Sequence, residues 1–402
     1  MPAAALVVLS ALMPAPHSSN GRGTFAFDMD AGPFIGGTTI PIKTSGVSGT
    51  PIFSVLGPGT IEQSSFTIPA TRAPSSATLI GATLGAVALQ ELHFVPPPEP
   101  HAHLIAVASY YSGIVLHSAR DFHIVGIVPI DGAAGDVASA PNGELYVPAT
   151  DSNTLFDLAR APWQIRRLNG VMLGNEAVVD SNDGAIFVSN RDVGGKGALT
   201  RVRGANVDRV ITGATAEGLA LDAAGHTIYV GNVNDGTVAQ IDTRTLRIAR
   251  RLPAVPRVFG MALDLPAHRL FVVSNQNAGM AGGGYVAAIN LASPSAPIVA
   301  RSAKFPFPLG IAFDRRRNVV FVTDEDEAQV YVLDARTLRA RHAPLHACAV
   351  PWRPHLDAAT RRLFVPCARA NRVAVFDADR MRAIAGSPFA TGRYPLSVAT
   401  SG

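Results

Sequence analysis

A strand–turn–strand unit that returns about every 42 residues restricts the fold of this chain more than any other feature. It is clearest in T-I-Y-V-G-N-V-N-D-G-T-V-A-Q-I-D, residues 227–242. The first half is β-branched and aromatic, Asn232 to Gly236 supply turn formers, and alternation resumes up to Asp242. Aligned on Tyr229, the equivalent positions are Ala106, Tyr146, Phe187, Phe271, Phe321 and Phe364. One longer step, Phe271 to Phe321, holds a glycine-rich insertion at 278–284. Two further anchors keep the spacing. E-G-L-A-L-D (217–222), F-G-M-A-L-D (259–264) and L-G-I-A-F-D (309–314) precede the anchor strand, and D-T-R-T-L-R (242–247), D-A-R-T-L-R (334–339) and D-A-D-R-M-R (377–382) close the next one.

A repeat of this length, with room for four short strands, cannot bury both of its faces alone. Stacked neighbours cover them, and closing the ring removes the open ends. The expected fold class is therefore all-β, with a seven-bladed β-propeller over residues 104–402. Y-V-G-N (229–232) and F-V-S-N (187–190) resemble the motif of the YVTN family of β-propellers, over about 300 residues. Pro148, Pro366 and Cys367 depart from that pattern. The resemblance implies that the strand carrying G-[LIM]-A is innermost. The first repeat lacks one, and P-L-S-V-A-T (395–400) has no repeat left to start, so the C-terminal strand is expected to complete the first blade.

Residues 23–95 do not repeat. Short alternating runs at 51–56, 65–68, 77–83 and 86–95 lie between turn signals and predict a small β-sandwich. F-S-V-L-G-P-G-T-I-E-Q-S-S-F-T-I-P-A-T (53–71) with S-S-A-T-L-I-G-A-T-L-G-A-V-A (75–88) resembles bacterial Ig-like modules of secreted proteins. P-P-P-E-P (96–100) reads as a stiff linker over 96–103. Residues 1–22 carry an apolar run, Ala3 to Met13, that is too short to span a bilayer; it is read as a possible signal peptide or a disordered tail. The expected location is secreted, periplasmic or cell-surface.

The net charge of +4 comes almost wholly from Arg, and the arginines are scattered among turns without interleaved aromatics. A nucleic-acid partner is not expected, nor is a membrane span. There is no G-x-S-x-G, H-E-x-x-H or Walker loop, and G-G-K-G (194–197) reads as a hairpin loop. The acidic run 324–327 reads as a solvated loop, since a linear run without Gly rarely wraps a cation. His101 with His103, and His342 with His346, read as surface residues for want of a third ligand. No cofactor or metal is expected.

The start of each inner strand lines the axial mouth. In blade order the residues before the Gly position are Ala134, Asn175, Glu217, Phe259, Leu309, Trp352 and Tyr394, with Glu176 at the Gly position of its blade and Asn190 and Asn232 ending adjacent strands. Carboxylates and amides orient a polar ligand and aromatic faces stack on rings, so Asn175, Glu176, Asn190, Glu217, Asn232, Phe259, Trp352 and Tyr394 are the candidate ligand-binding set. Glu176, Glu217, Asn190 and Asn232 also resemble, in residue type, the metal set of gluconolactonase-like propellers. Cys348 lies before the inner strand of the last blade and Cys367 ends its neighbour; they are candidates for a disulfide, although the register puts them several residues out of step. The sequence thus reads as an exported, non-catalytic, monomeric binding protein that recognises a protein, glycan or small ligand at its axial face. The alternatives are a lactonase-type hydrolase and a structural cell-surface module. A-G-S-P-F-A-T-G-R-Y-P-L-S-V-A (385–399) resembles lactonase-like relatives of 6-phosphogluconolactonase, from which no catalytic residue carries over. The double substitution Glu176→Ala with Glu217→Ala is expected to remove binding and leave the fold intact.

Overall fold

A computed structural model describes residues 25–46, 49–160, 163–275 and 283–401. The possible signal segment and most of the glycine-rich insertion lie outside them. Among the described residues the regular secondary structure is almost wholly strand, with one short 3-10 turn at Ala368–Ala370. From residue 104 onward, seven sheets follow one another. Their innermost strands are Pro395–Ser401, Ala138–Ser139, Gly174–Val179, Ala216–Asp222, Val258–Asp264, Pro308–Asp314 and His355–Asp357. Each innermost strand touches that of the next sheet, and the series of contacts returns to its start. The molecule is an all-β propeller.

The anchor residues explain why the sheets stack. Phe187, Phe271, Phe321 and Phe364 sit in the second strand of their sheets and are 0–1% exposed. Each fills the space between consecutive sheets, which a single repeat would leave open to water. Turn chemistry sets the spacing. The Asp242 carboxylate accepts hydrogen bonds from the amides of Arg244 (3.1 Å) and Thr245 (2.8 Å). Asp334 and Asp377 hold the equivalent turns through Arg336, Thr337, Asp379 and Arg380. These side chains stand in for the backbone and stop the third strand at one place in each repeat.

The ring closes through the C-terminal strand, whose residues Ser397 to Ser401 pair antiparallel with Leu104 to Ala108, as Leu104↔Ser401 and Val107↔Val398 show. The sheet so completed does not stop at the propeller. Its outer strand, Ile124–Val128, pairs parallel with Phe34–Ile35, which pairs in turn with Ala86–Val95. One eight-stranded sheet thus runs from the ring into the N-terminal unit. Phe34, Phe66 and Phe94 share a core with Val115 and Ile127 of the ring. The linker expected at 96–103 therefore does not hold two bodies apart. They are fused through a shared sheet, a two-residue pairing distant in sequence that no local pattern announces.

Cys348 and Cys367 form a disulfide with Cα atoms 5.5 Å apart. Cys348 lies in the turn ahead of its strand, where its amide donates to the Cys367 sulfur. That turn brings the sulfurs together despite the offset in register.

Candidate functional site

One repeated hydrogen bond fixes how the seven repeats correspond. The amide of the residue after each anchor strand donates to the carbonyl of the residue that opens the inner strand. The pairs are Tyr110→Tyr394, Thr150→Ala133, Arg191→Leu173, Val233→Thr215, Asn275→Arg257, Glu325→Phe307 and Ala368→Val350. Counting two residues on, the ring before the Gly position is Gly135, Asn175, Glu217, Phe259, Leu309, Trp352 and Leu396. Ala134 and Tyr394 were expected in that ring, but they stand one and two residues too early. Neither repeat has the Gly-[LIM]-Ala marker that sets the register elsewhere. Tyr394 packs instead at the rim, in one apolar cluster with Phe307, Leu309, Val350 and Trp352.

The Gly position itself carries the chemistry. It holds Gly218, Gly260 and Gly310 in three sheets, but Asp136, Glu176, Arg353 and Ser397 in the other four. At Gly218 a Cβ would run into the carbonyl oxygen of Phe259, so inner strands on that side pack backbone to backbone. On the other side the side chains meet at the axis. Glu217 is an ion-pair partner of Arg191 (2.7 Å) and, more distantly, of Arg353 (3.9 Å), and it accepts a hydrogen bond from Asn175. Glu176 accepts from the Leu219 amide at 3.2 Å and Asp136 from the Ala177 amide at 2.9 Å. Arg353 donates to the Gly135 carbonyl at 3.2 Å. Asp136, Arg191 and Arg353 were not anticipated. The substitution of Gly by Glu176 was the signal that, applied to every repeat, points to Asp136 and Arg353.

Three carboxylates face two guanidiniums here, so full ionisation would leave one buried negative charge. Burial, opposed by Arg353 and reinforced by Asp136, pushes the Glu176 carboxyl up to about 8. Burial raises Asp136 as well. A retained proton balances the cluster. The consequence for stability has a definite sign. Glu176 keeps its proton in the fold, while the unfolded chain releases it near the usual carboxylate value, about 4.3. Stability from this source is complete below that value and is lost as pH rises toward about 8. Glu176→Gln, a permanently neutral isostere, is expected to flatten the decline of melting temperature between pH 5 and pH 8, measured by calorimetry. An unchanged slope would show that Glu176 is ionised in the fold.

Glu176, Glu217, Phe259, Leu309, Trp352 and Arg353 line an axial cavity of about 90 Å³. That space suits about three waters, since each takes ~30 Å³, whereas small-molecule pockets run to about 300 Å³ and more. The charged cluster therefore leaves little room on the axis at this level. The residues following the anchor strands stand beside the residues that open the inner strands. Asn275 is 1% exposed, and neither atom of its amide has a partner among the described residues. Glu325 Oε2 and Trp352 Nε1 are likewise buried and unpaired. Burial beside Asp326 pushes Glu325 up to about 7.

This overturns part of the reading of 324–327 as a solvated loop. Asp324 is fully buried and accepts from the Phe307 amide at 2.8 Å, and Glu325 is nearly buried; only Asp326 and Glu327 are exposed. Asn190 and Asn232 are not free to contact a ligand: both are fully buried, and their side chains are hydrogen-bonded to neighbouring strands and loops. Asn190 bonds the Met172 carbonyl (2.6 Å) and Thr200 (2.6 Å), and Asn232 bonds Thr212 (2.8 Å) and Thr237 (3.2 Å). His101, His103, His342 and His346 are exposed. Among the described residues no three His, Cys, Asp or Glu side chains form a metal-binding group, and no helix is long and apolar enough to cross a membrane.

No protein-family profile matches the chain. Two curated relatives are uncharacterised proteins called YncE, from Salmonella typhi and Salmonella typhimurium. The first is 27% identical over 192 residues, covering 46% of this chain and 50% of its own. The second is 28% identical over 171 residues, covering 40% and 45%. The chain thus spans about half the length of the curated relatives it matches. Among solved structures, a functionally unknown protein from Desulfotomaculum acetoxidans superposes with a TM-score of 0.62 at 14% identity, over 75% of this chain and 99% of that one. Hydrazine synthase from Kuenenia stuttgartiensis gives 0.60 at 13% identity, over 69% and 93%. At such identities the likeness is one of fold.

Proposed function

We propose that this chain is an exported, non-catalytic binding protein: a seven-bladed propeller of the YVTN type, fused to an Ig-like unit, that takes a small polyhydroxyl ligand at its axial mouth. One observation carries the reading. Asn275, Glu325 and Trp352, on three consecutive sheets, present buried donors and acceptors without partners among the described residues, beside the apolar cluster of Phe307, Leu309 and Tyr394. Each unpaired buried group costs about 1–3 kcal/mol until a partner arrives. A sugar supplies hydroxyls that both donate and accept, and its C–H faces suit aromatic side chains. The disulfide supports an oxidising compartment. The lactonase reading is weaker, because its best acid, Glu176, lies in a space of about 90 Å³ that a lactone does not enter.

Trp352 is one of two tryptophans, so Trp163→Phe leaves it as the sole indole reporter. Titration of that variant with a panel of neutral mono- and disaccharides is expected to shift Trp352 emission for at least one sugar. The shift should disappear in Asn275→Ala and in Glu325→Ala. A panel that moves neither emission nor melting temperature would end the reading, and hydrolysis of a simple lactone above the buffer rate would favour the enzyme.

A further inference from the structure

The ring has a second concave surface, at the end opposite the mouth, where the linker residues meet the second sheet. Its volume is about 580 Å³, inside the range of small-molecule pockets, roughly 300–1,000 Å³. His101, His103, Ser139, Asn142, Ser181 and Thr400 supply its polar lining, and among the described residues no Asp or Glu lines it. Ser139 and Thr400 stand at or near the last residues of inner strands, which places the cavity at the base of the axis.

Arg160 forms part of the wall and is 6% exposed. One of its nitrogens donates to Ser401 Oγ (2.8 Å), and the other terminal nitrogen donates to the carbonyls of Glu99 (3.1 Å) and Ala102 (2.7 Å). These bonds tie the linker to the ring, but every acceptor is neutral. Three of the five N–H groups of a guanidinium are used, and the buried Nε has no partner among the described residues. No carboxylate among the described residues pairs with it, and burial alone pulls its pKa down. A buried cation without a counter-charge is costly, and proteins ordinarily pair it.

We infer that this basal cavity binds a small anion, a carboxylate or phosphate group, whose charge complements Arg160 and whose remaining oxygens take hydrogen bonds from His101, His103 and the hydroxyl of Ser181. The cavity and the unpaired guanidinium are independent observations that agree on the sign of the ligand. This site lies at the other end of the ring from the proposed sugar site, and neither reading depends on the other.

The test uses the full chain, with inorganic phosphate and succinate as probes and sodium chloride at matched ionic strength as the control. Calorimetric titration is expected to show saturable binding of at least one probe, with a rise in melting temperature that chloride does not reproduce. Arg160→Gln should abolish it, but Arg160 also holds the linker, so a second variant is needed. Asn142 is exposed and its Oδ1 accepts from the Glu144 amide (3.1 Å). Asn142→Asp keeps that acceptor and places a negative charge on the cavity wall. It should retain the wild-type melting temperature without probe and lose at least fivefold in affinity. Probes that stabilise no better than chloride, or undiminished binding by Asn142→Asp, would overturn the inference. Binding of phosphate but not succinate, or the reverse, would support it and name the oxyanion.

Discussion

A chain lacking residues 395–402 is expected to lose cooperative unfolding and to elute as aggregate. The deleted strand carries Leu396, Val398 and Ala399, each 4% exposed. Burying a Leu or Val is worth about 1.5–3 kcal/mol. Its backbone pairs with residues 104–109 along their whole length, and each net hydrogen bond adds about 1 kcal/mol. Ser397 also accepts from the Val137 amide (3.0 Å), and the Thr400 carbonyl from Ser139 (3.0 Å), so the strand joins the first sheet to the second. The sum is on the order of 10 kcal/mol, comparable with the whole stability of a typical domain, about 5–15 kcal/mol. The strand exposed by the deletion would also offer an open edge for pairing with other chains. Thermal melts and size-exclusion chromatography check this. A truncated protein that melts cooperatively within a few degrees of the full chain would mean that the ring does not depend on its closing strand.

The repeats made the propeller legible because each one states its structure locally. A β-branched strand, an Asp-capped turn and a buried Phe recur at fixed spacing, and every one is a short-range signal. The N-terminal strands were legible for the same reason: Ile52–Leu56 and Ala86–Val95 appear within a residue of the alternating runs. The fusion of that unit to the ring was not, because it rests on Phe34 meeting Ile127 and Phe94 across long stretches of chain. Register inside the ring failed where its marker was missing. In D-V-A-S (136–139) and S-V-A-T (397–400) an Asp and a Ser stand where the marker has Gly, so Ala134 and Tyr394 were placed one and two residues too early. Asn190 and Asn232 were expected in the binding set, but their side-chain oxygens accept from Thr200 and Thr212 in the interior, contacts distant in sequence that the motif does not announce.

The axial cluster behaves as one unit, and Glu217 is the member whose loss should be felt most. Its side chain is 5% exposed and is the ion-pair partner of both Arg191 and Arg353, while Asn175 donates to it. Glu217→Ala removes the acceptor and leaves two guanidiniums facing Asp136 and Glu176. Breaking a buried ion pair from one side costs about 3–5 kcal/mol, and the arginines keep about a fifth of their side chains accessible, so about 3 kcal/mol is the expected loss. The earlier expectation that Glu176→Ala with Glu217→Ala would spare the fold is therefore withdrawn. The coupling has a second consequence. With Glu217 gone, two acids face two arginines, and the repulsion that helps hold the proton on Glu176 falls. Glu176→Gln should then bring less benefit at pH 8 in the Glu217→Ala background than in the wild type. Denaturant melts of the two single variants and the double variant form the cycle. Residues in one ion network show interaction energies of about 0.5–3 kcal/mol, whereas independent sites add to within about 0.5 kcal/mol. Additive losses in this cycle would show that Glu217 takes no part in holding the proton on Glu176.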